Sequence, residues 1–178
     1  MGEDVKYDGT NNSIALESSF TFKEKESFMD VLCDNEIFSF CPEVSGGLSI
    51  PRVPSEIVSA SKPFIVKNKN GDDVTINFLM GAKNTLELCK AEKISVALLK
   101  ANSPSCGNNN IYDGTFSSTI IKGEGLTAKL LAENGIKVFN EKQIIEKEIK
   151  IEIKVLVEKY PATIRFLHSM GIPHRWLV

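Results

Sequence analysis

The uninterrupted apolar run at residues 95–99 is the sequence feature that most restricts the fold. A strand without polar alternation is typical of a parallel sheet that helices cover on both faces. Another apolar run lies at 136–139, after a helix that is predicted to begin at Gly125. This alternation predicts an α/β fold in which helices flank a parallel sheet through right-handed crossovers. A further helix before the first run is predicted from apolar residues at helical spacing: Phe78, Ala82, Leu86 and Cys89.

The N-terminal part is expected to hold one helix and one strand between two loops. Residues 1–21 show no regular period and are predicted to be loop. Apolar residues at helical spacing predict a helix over 23–34, and the short apolar run at 36–40 predicts a buried strand. The glycines and prolines of the segment from Val44 to Pro54, with Pro42 just before it, argue against a helix and predict a long ordered loop. Loops of this kind commonly carry function.

Turn residues mark the ends of the middle elements. A small hairpin is predicted between residues 64 and 74, because Asn70-Gly71 is a strong tight-turn signal. Thr75 is expected to cap the helix that follows. Asn134-Gly135 is expected to end the next helix, since glycine readily adopts the left-handed conformation of a helix C-terminus.

The character of the sequence changes near residue 142. Residues 148–157 alternate charged and apolar side chains with period two, which favours a strand, although the same letters also make a helical stripe. Both alternatives stay open. The division that follows is an α/β domain at 1–141 and a C-terminal appendage of unknown role at 142–178.

Charge and hydropathy exclude several classes of partner. The chain has 178 residues, and its 21 basic against 23 acidic residues leave a net charge of −2. Such a balance does not favour nucleic acid or an anionic membrane. No uncharged stretch approaches the roughly 20 apolar residues of a membrane span, and the acidic N-terminus has no apolar signal core. The sequence therefore predicts a cytoplasmic protein and leaves its oligomeric state open.

The cysteines are expected to be thiols. The chain has four of them without a C-x-x-C pair, so neither a disulfide framework nor a metal site follows from spacing alone. Cys41 and Cys106 each follow the end of a predicted strand, and parallel sheets bind ligands beyond the carboxyl ends of their strands. Together with Glu43 they are expected to share one cleft. Cys33 and Cys89 are expected to be small core residues on helices.

Several short motifs occur in an order that is specific for a chain of this size. They are Lys6-Tyr7-Asp8-Gly9, Cys41-Pro42-Glu43-Val44, Gly46-Gly47-Leu48, Pro51-Arg52-Val53-Pro54, Asp73-Val74-Thr75 through Phe78, Gly81-Ala82, Leu99-Lys100, Ser103-Pro104-Ser105-Cys106-Gly107, Ile111-Tyr112-Asp113-Gly114 and the segment from Gly123 to Leu131. Over about residues 2–141 this series resembles the bacterial thiouracil desulfidase-like family.

The resemblance implies an iron-sulfur enzyme of Rossmann-like fold. Three cysteine thiolates of the family hold a 4Fe-4S cluster, and the open fourth iron takes sulfur from the substrate. The substrate would be a small thiolated nucleobase such as 2-thiouracil, desulfurated with water and without net redox change. Cys41 and Cys106 match two of the three cluster ligands.

The resemblance also assigns roles to side chains around the cluster. Glu43 would be the acid or base that handles water. Ser103, with Ser105 as the weaker candidate, would orient water or substrate by hydrogen bonding. The residues that would bind substrate are Arg52, Tyr7 and Asp8, although Tyr7-Asp8-Gly9 is first of all a turn sequence.

The sequence departs from the family at its N-terminus. Relatives have an initial strand and a further cysteine before their Tyr-Asp-Gly motif, and Met1-Gly2 aligns with the end of that segment. The first strand and the third ligand are therefore expected to be missing from this chain. Two alternatives to a desulfidase follow: a non-catalytic iron-sulfur or thiol binding module, and an inactive truncated domain.

Overall fold

A parallel sheet forms the centre of the fold. The structure is a computed structural model that describes residues 13–17, 36–61 and 63–144. In spatial order the sheet contains β2 (Glu36–Phe40), β1 (Ser13–Glu17), β5 (Val96–Leu99) and β8 (Lys137–Asn140), all parallel. Two antiparallel hairpins join β3 (Ser55–Ser59) to β4 (Ile65–Asn68) and β6 (Asn110–Tyr112) to β7 (Ile120–Lys122). The helices of the described residues are α1 (Pro42–Ser45), α2 (Thr75–Ala91), α3 (Leu126–Glu133) and α4 (Glu141–Ile144). The predicted α/β class is confirmed.

Strand β5 is buried along its whole length, as its apolar run predicts. Leu98 and Leu99 are both 0% exposed. The core cluster joins Leu99 to Leu86 of α2 and Leu131 of α3, so the two helices pack together with the strand. Complete burial of a leucine side chain stabilises a fold by about 1.5–3 kcal/mol. The core therefore fixes β5 between its neighbours and fixes the position of the loop that follows it.

The main helices begin and end close to their predicted limits. The predicted apolar stripe of α2 is the face that the helix buries. Helix α3 begins after Gly125 and is followed by Gly135, whose φ of 80° is the left-handed conformation expected there. Strand β8 follows directly, which confirms the predicted order of helix, glycine and strand.

The expectation of loop throughout residues 1–21 is wrong for 13–17. These residues form β1, which pairs with β2 on one side and with β5 on the other. The parallel sheet thus includes a strand from this N-terminal segment, between β2 and β5. The strand has only a short apolar centre and is flanked by asparagine and serine, so local composition does not indicate a strand there.

The segment from Val44 to Pro54 is not loop throughout, because its first two residues belong to the single helical turn α1. Proline is tolerated in the first turn of a helix, where its missing N–H would have no partner in the helix. Pro42 occupies that position, and Gly46 and Gly47 end the turn. The prolines that argue against helix thus apply only to the residues after α1.

The predicted hairpin and cap are only partly correct. Lys67 does bridge Asp73 across a turn at Gly71, but the main partner of β4 is β3. Thr75 does not cap the helix with its hydroxyl. Its own N–H donates to the carboxylate of Asp73 at 2.9 Å. The hydroxyl of Thr75 instead accepts the N–H of Val66 at 2.9 Å and ties α2 to β4.

Some predictions concern residues outside the described part of the chain. These are the helix at 23–34, the strand or helix at 148–157, and nearly all of the appendage at 142–178. The proposed domain division consequently stays a prediction. Among the described residues, no helix combines the length and apolar character that crossing a bilayer requires.

Helix α1 is held against α2 by a close backbone contact. A Cβ atom on Gly81 would collide with the carbonyl oxygen of Pro42, and one on Gly46 would collide with the backbone of Asn77. The side chains of Asn77 and Asn84 donate to the carbonyls of Gly46 and Ser45, at 2.9 and 2.8 Å. These bonds satisfy carbonyls that have no partner within such a short helix.

We expect Gly81→Ala to lower the free energy of unfolding by about 1–3 kcal/mol, because it overpacks the contact between α1 and α2. The loss should occur even though alanine is the better helix former. Urea unfolding measures it, with Met80→Ala as the control, since Met80 is 51% exposed on the same helix. Equal stability of Gly81→Ala and the parent protein would contradict the packing argument.

Candidate active site

The first side of the site is built where β2 ends and α1 begins. Cys41 directly follows the strand and is the N-cap residue of the helix, with its carbonyl accepting the N–H of Ser45 at 2.9 Å. Glu43 lies in the first helical turn, where the partial positive charge of a helix N-terminus favours a carboxylate. The contact of α1 with α2 fixes both residues at the carboxyl end of β2.

The second side is a tight turn after β5. The hydroxyl oxygen of Ser103 accepts the N–H groups of Ser105 and Cys106, each at 3.1 Å, and the Ser103 carbonyl accepts the N–H of Gly107 at 2.9 Å. A Cβ atom at Gly107 would collide with the carbonyl oxygen of Asn110. The Ser-Pro-Ser-Cys-Gly sequence therefore folds into one turn that points Cys106, which is only 3% exposed, inward.

A small cavity of about 90 Å³ lies between the two sides. Both Cys41 and Cys106 line it, together with Glu43, which confirms that these three residues share one cleft. Cys106 also belongs to the hydrophobic core cluster that contains Cys89. The full lining consists of Cys41, Pro42, Glu43, Arg52, Lys100, Ser103 and Cys106.

The carboxylate of Glu43 is anchored through both of its oxygen atoms. Arg52 donates from Nε to Oε2 at 2.5 Å, and Ser103 donates from Oγ to Oε1 at 3.4 Å. Arg52 also donates from its terminal nitrogen to the sulfur of Cys41 at 3.4 Å. One guanidinium thus orients the carboxylate and one of the two thiols that line the cavity.

Arg52 and Glu43 form a partly buried ion pair, with side chains 25% and 17% exposed. Burial lowers the pKa of Arg52, but the Glu43 carboxylate and the Cys41 thiol more than offset this effect and raise the pKa above its ordinary value. The guanidinium therefore stays positively charged. Its fixed charge favours negative charge on the groups around it.

A larger cavity of about 490 Å³ adjoins the same residues. Glu43, Arg52 and Ser103 line both cavities. The rest of the lining comes mainly from the segment around β3, from β6 and from the loop after β6. Its remaining lining residues are Val53, Pro54, Ser55, Glu56, Lys69, Pro104, Tyr112, Phe116 and Ser118.

The loop after β6 has an unusual backbone. Phe116 and Ser118 have φ values of 57° and 64°, in the left-handed region that side chains other than glycine rarely adopt. Each such residue costs of the order of 1–3 kcal/mol unless its surroundings hold it in place. Within the loop, the hydroxyl and N–H of Thr115 bond to Asp113 and lower the pKa of that carboxyl.

The structure does not bring every predicted residue to the cavities. Ser105 is 1% exposed, and its hydroxyl lies 2.8 Å from that of Thr127 in the core. Cys89 is buried on α2, as expected for a core residue. Tyr7, Asp8 and Cys33 lie outside the described residues. The catalytic roles predicted for Glu43, Ser103 and Ser105 stay predictions, and so does the role of Arg52 in binding substrate.

Several lining residues had no role in the sequence analysis, among them one in the small cavity and two in the large one. Lys100 lies in the small cavity and pairs with Glu141 at 3.8 Å, and Glu56 and Phe116 lie in the large one. Lys100 directly follows a buried strand, which is a position where a ligand-binding residue can be suspected. Glu56 and Phe116 carry no comparable signal, because neither β3 nor the left-handed loop was evident from the sequence.

Fold and site together define an α/β protein with two thiols and an anchored carboxylate at the carboxyl edge of its parallel sheet. The family model of 2-thiouracil desulfurase matches residues 1–143, and the chain belongs to this family. It is similar to the 4Fe-4S-dependent thiouracil desulfidase TudS, with 33% identity and a TM-score of 0.64 over 81% of this chain and 99% of that chain. It is also 41% identical, over 110 residues, to the uncharacterized protein YbbK of Bacillus subtilis strain 168, covering 58% of this chain and 73% of the relative.

Stability should depend on pH through Cys89. Burial raises the pKa of its thiol from 9.0 to about 11. The folded protein therefore keeps this proton more tightly than the unfolded chain does, and the stabilisation that is present below pH 9.0 should be lost as the pH rises towards about 11. Urea unfolding between pH 8 and 11 should show a steeper decline for the parent protein than for Cys89→Ala. Parallel declines of the two proteins would exclude this linkage.

Proposed function

We propose that this chain removes sulfur from a thiolated nucleobase such as 2-thiouracil, with a 4Fe-4S cluster as cofactor. The observation that carries the proposal is the meeting of Cys41, Cys106 and Glu43 at one small cavity that adjoins a larger one. Membership of the 2-thiouracil desulfurase family and the similarity to a 4Fe-4S-dependent desulfidase support the chemistry.

The donor chemistry of the small cavity fits part of a cluster site. Cysteine thiolates are the usual ligands of iron-sulfur clusters, and Cys41 and Cys106 both line the cavity. The described residues contain no group of three side chains that could hold a metal ion. Two ligands are thus at hand, and the third thiolate of the family has to come from outside this part of the chain. When bound, the cluster supplies an iron that acts as a Lewis acid towards the substrate's sulfur.

The net reaction exchanges a thiocarbonyl for a carbonyl. Water provides the oxygen, the carbon–sulfur double bond is replaced by a carbon–oxygen double bond, and the sulfur leaves as hydrogen sulfide. The two protons of water end on sulfide, and no electrons are gained or lost. The protein therefore needs a group that can take a proton from water and release it again.

Glu43 is suited to this proton transfer. Its carboxylate lines both cavities, and hydrogen bonds from Arg52 and Ser103 fix its orientation. A positioned general base of this kind accelerates reactions typically by about 10²–10⁴-fold. Ser103 orients the carboxylate itself, because its hydroxyl proton goes to Glu43 while its two lone pairs accept the N–H groups of Ser105 and Cys106.

Arg52 acts on the reaction through the residues that it contacts. It holds Oε2 of Glu43 and the sulfur of Cys41 with two different nitrogen atoms. A guanidinium presents its donors in a fixed plane, so both partners are oriented together. Arg52 thus links the proposed base directly to a proposed cluster ligand.

We expect Glu43→Gln to lower the rate of sulfide release from 2-thiouracil by about 10²–10⁴-fold, because the amide cannot accept the proton. Sulfide release by the anaerobically reconstituted protein measures the effect. Glu87→Gln is the matched control, because the Glu87 side chain is 63% exposed on α2. A Glu43→Gln protein with the parent rate would remove Glu43 from the mechanism.

We expect Cys41→Ala and Cys106→Ala each to abolish cluster binding, since each variant removes a ligand. Iron content, acid-labile sulfide and visible absorbance after anaerobic reconstitution are the readouts. Cys89→Ala should bind as much iron as the parent, because Cys89 is a core residue of α2. Iron bound equally by all variants would contradict the ligand assignment. Iron binding without sulfide release from 2-thiouracil would favour a non-catalytic iron-sulfur module.

A further inference from the structure

The larger cavity has an aromatic wall that the proposed chemistry does not use. Tyr112 ends β6, and Phe116 lies in the loop that connects β6 to β7. Both side chains line the cavity, and both are partly exposed. Aromatic side chains offer flat apolar faces on which nucleic-acid bases stack irrespective of their identity.

Glu56 of strand β3 holds this loop in place. Its Oε2 atom accepts the N–H of Gly114 at 2.9 Å and that of Phe116 at 3.0 Å. The residue is 7% exposed, so the two bonds replace hydration that the buried carboxylate has lost.

The two bonds restrain the backbone from which the ring of Phe116 extends. Phe116 has a left-handed backbone with a φ of 57°, which an unrestrained phenylalanine rarely adopts. The bond from its N–H to Glu56 fixes this conformation, and Gly114, with a φ of 88°, lets the chain turn two residues earlier. A Cβ atom on Gly114 would also contact the backbone of Ile57 and Val58 in β3. The loop therefore lies directly against β3.

The wall and the catalytic groups belong to one space. Glu43, Arg52 and Ser103 line the larger cavity together with Glu56, Tyr112 and Phe116. A substrate whose sulfur enters the small cavity would extend the rest of its ring into this space. The cavity volume of about 490 Å³ leaves room for a heterocyclic ring beside the wall.

We propose that Phe116 is a specificity-determining residue that selects flat, conjugated heterocycles by stacking, and that Glu56 is the positioning residue that holds Phe116 in place. The inference rests on the proposed function, because it concerns the ring that carries the thiocarbonyl. It adds the class of ring that the site accepts: planar unsaturated rings over puckered ones with the same amide edges.

The test compares two sulfur-free ligands, uracil and 5,6-dihydrouracil, by isothermal titration calorimetry on the reconstituted full chain. They present the same N–H and carbonyl groups, but only uracil is flat. Base stacking on an aromatic residue is worth about 1–3 kcal/mol, so the parent protein should bind uracil roughly 5- to 150-fold more tightly than dihydrouracil. Phe116→Leu should reduce this ratio to near one, and Phe116→Tyr should retain it.

Glu56 is tested through the same ratio. Glu56→Ala should reduce the preference for uracil, because the loop loses both bonds to the carboxylate. Glu56→Gln should retain it, since the amide oxygen can accept the same two N–H groups. Ile76→Ala is the control, because Ile76 is 66% exposed on α2 and does not line the cavity. An unchanged ratio in Glu56→Ala would remove Glu56 from the inference. Should that variant fail to fold, Glu56→Asp takes its place, because its carboxylate is one methylene shorter and should also reduce the ratio.

Failure of this inference is distinguishable from failure of the proposed function. Equal affinity of the parent protein for the two ligands, no uracil binding, or an unchanged ratio in Phe116→Leu would overturn the stacking wall. Release of sulfide from 2-thiouracil by the same parent preparation tests the desulfurase activity separately. A uracil preference without sulfide release would keep the wall and remove the reaction.

Discussion

Burial of β5 on both of its faces is the constraint on which the rest of the structure depends. Because helices and neighbouring strands cover β5 completely, the strand has one register with β1 and one with β8. The carboxyl ends of all strands then meet at one edge of the sheet. The turn that carries Cys106 starts from this edge, and so does the helix that carries Glu43. The fold thereby brings together residues that are far apart in the chain.

Two different arrangements of hydrogen bonds hold Glu43 and the loop of Phe116 in place. On the side of Glu43, charges and hydrogen bonds act directly, since Arg52 and Ser103 occupy both carboxylate oxygens. On the side of Phe116, the effect on the side chain is indirect. The buried carboxylate of Glu56 accepts backbone N–H groups, and the restrained backbone carries the ring. In the proposed reaction, the first arrangement orients the base, and the second shapes the space beside it. In both arrangements a carboxylate accepts hydrogen bonds from residues that are distant in the chain.

The sequence predicted the elements whose signals are local and periodic. The stripe of α2 and the run of β5 follow from spacing, and Gly135 follows from the geometry of helix ends. The strand β1 escaped prediction because its stability comes from pairing with β2 and β5, which no local pattern records. The turn α1 escaped because proline disfavours helix everywhere except in a first turn. Each error arose where tertiary context overrode local preference.

The sequence by itself determined the α/β class, the family resemblance and the two cysteines with their neighbouring carboxylate. These follow from short patterns, in which side-chain periodicity and motif order are already present. Only the tertiary structure decided that Arg52 is paired with Glu43, that Ser105 faces the core, and that Glu56 fixes the loop of Phe116. Those assignments depend on contacts between residues remote in the chain. The physical reason is that hydrogen-bond partners are chosen by distance and burial, which a linear pattern does not contain.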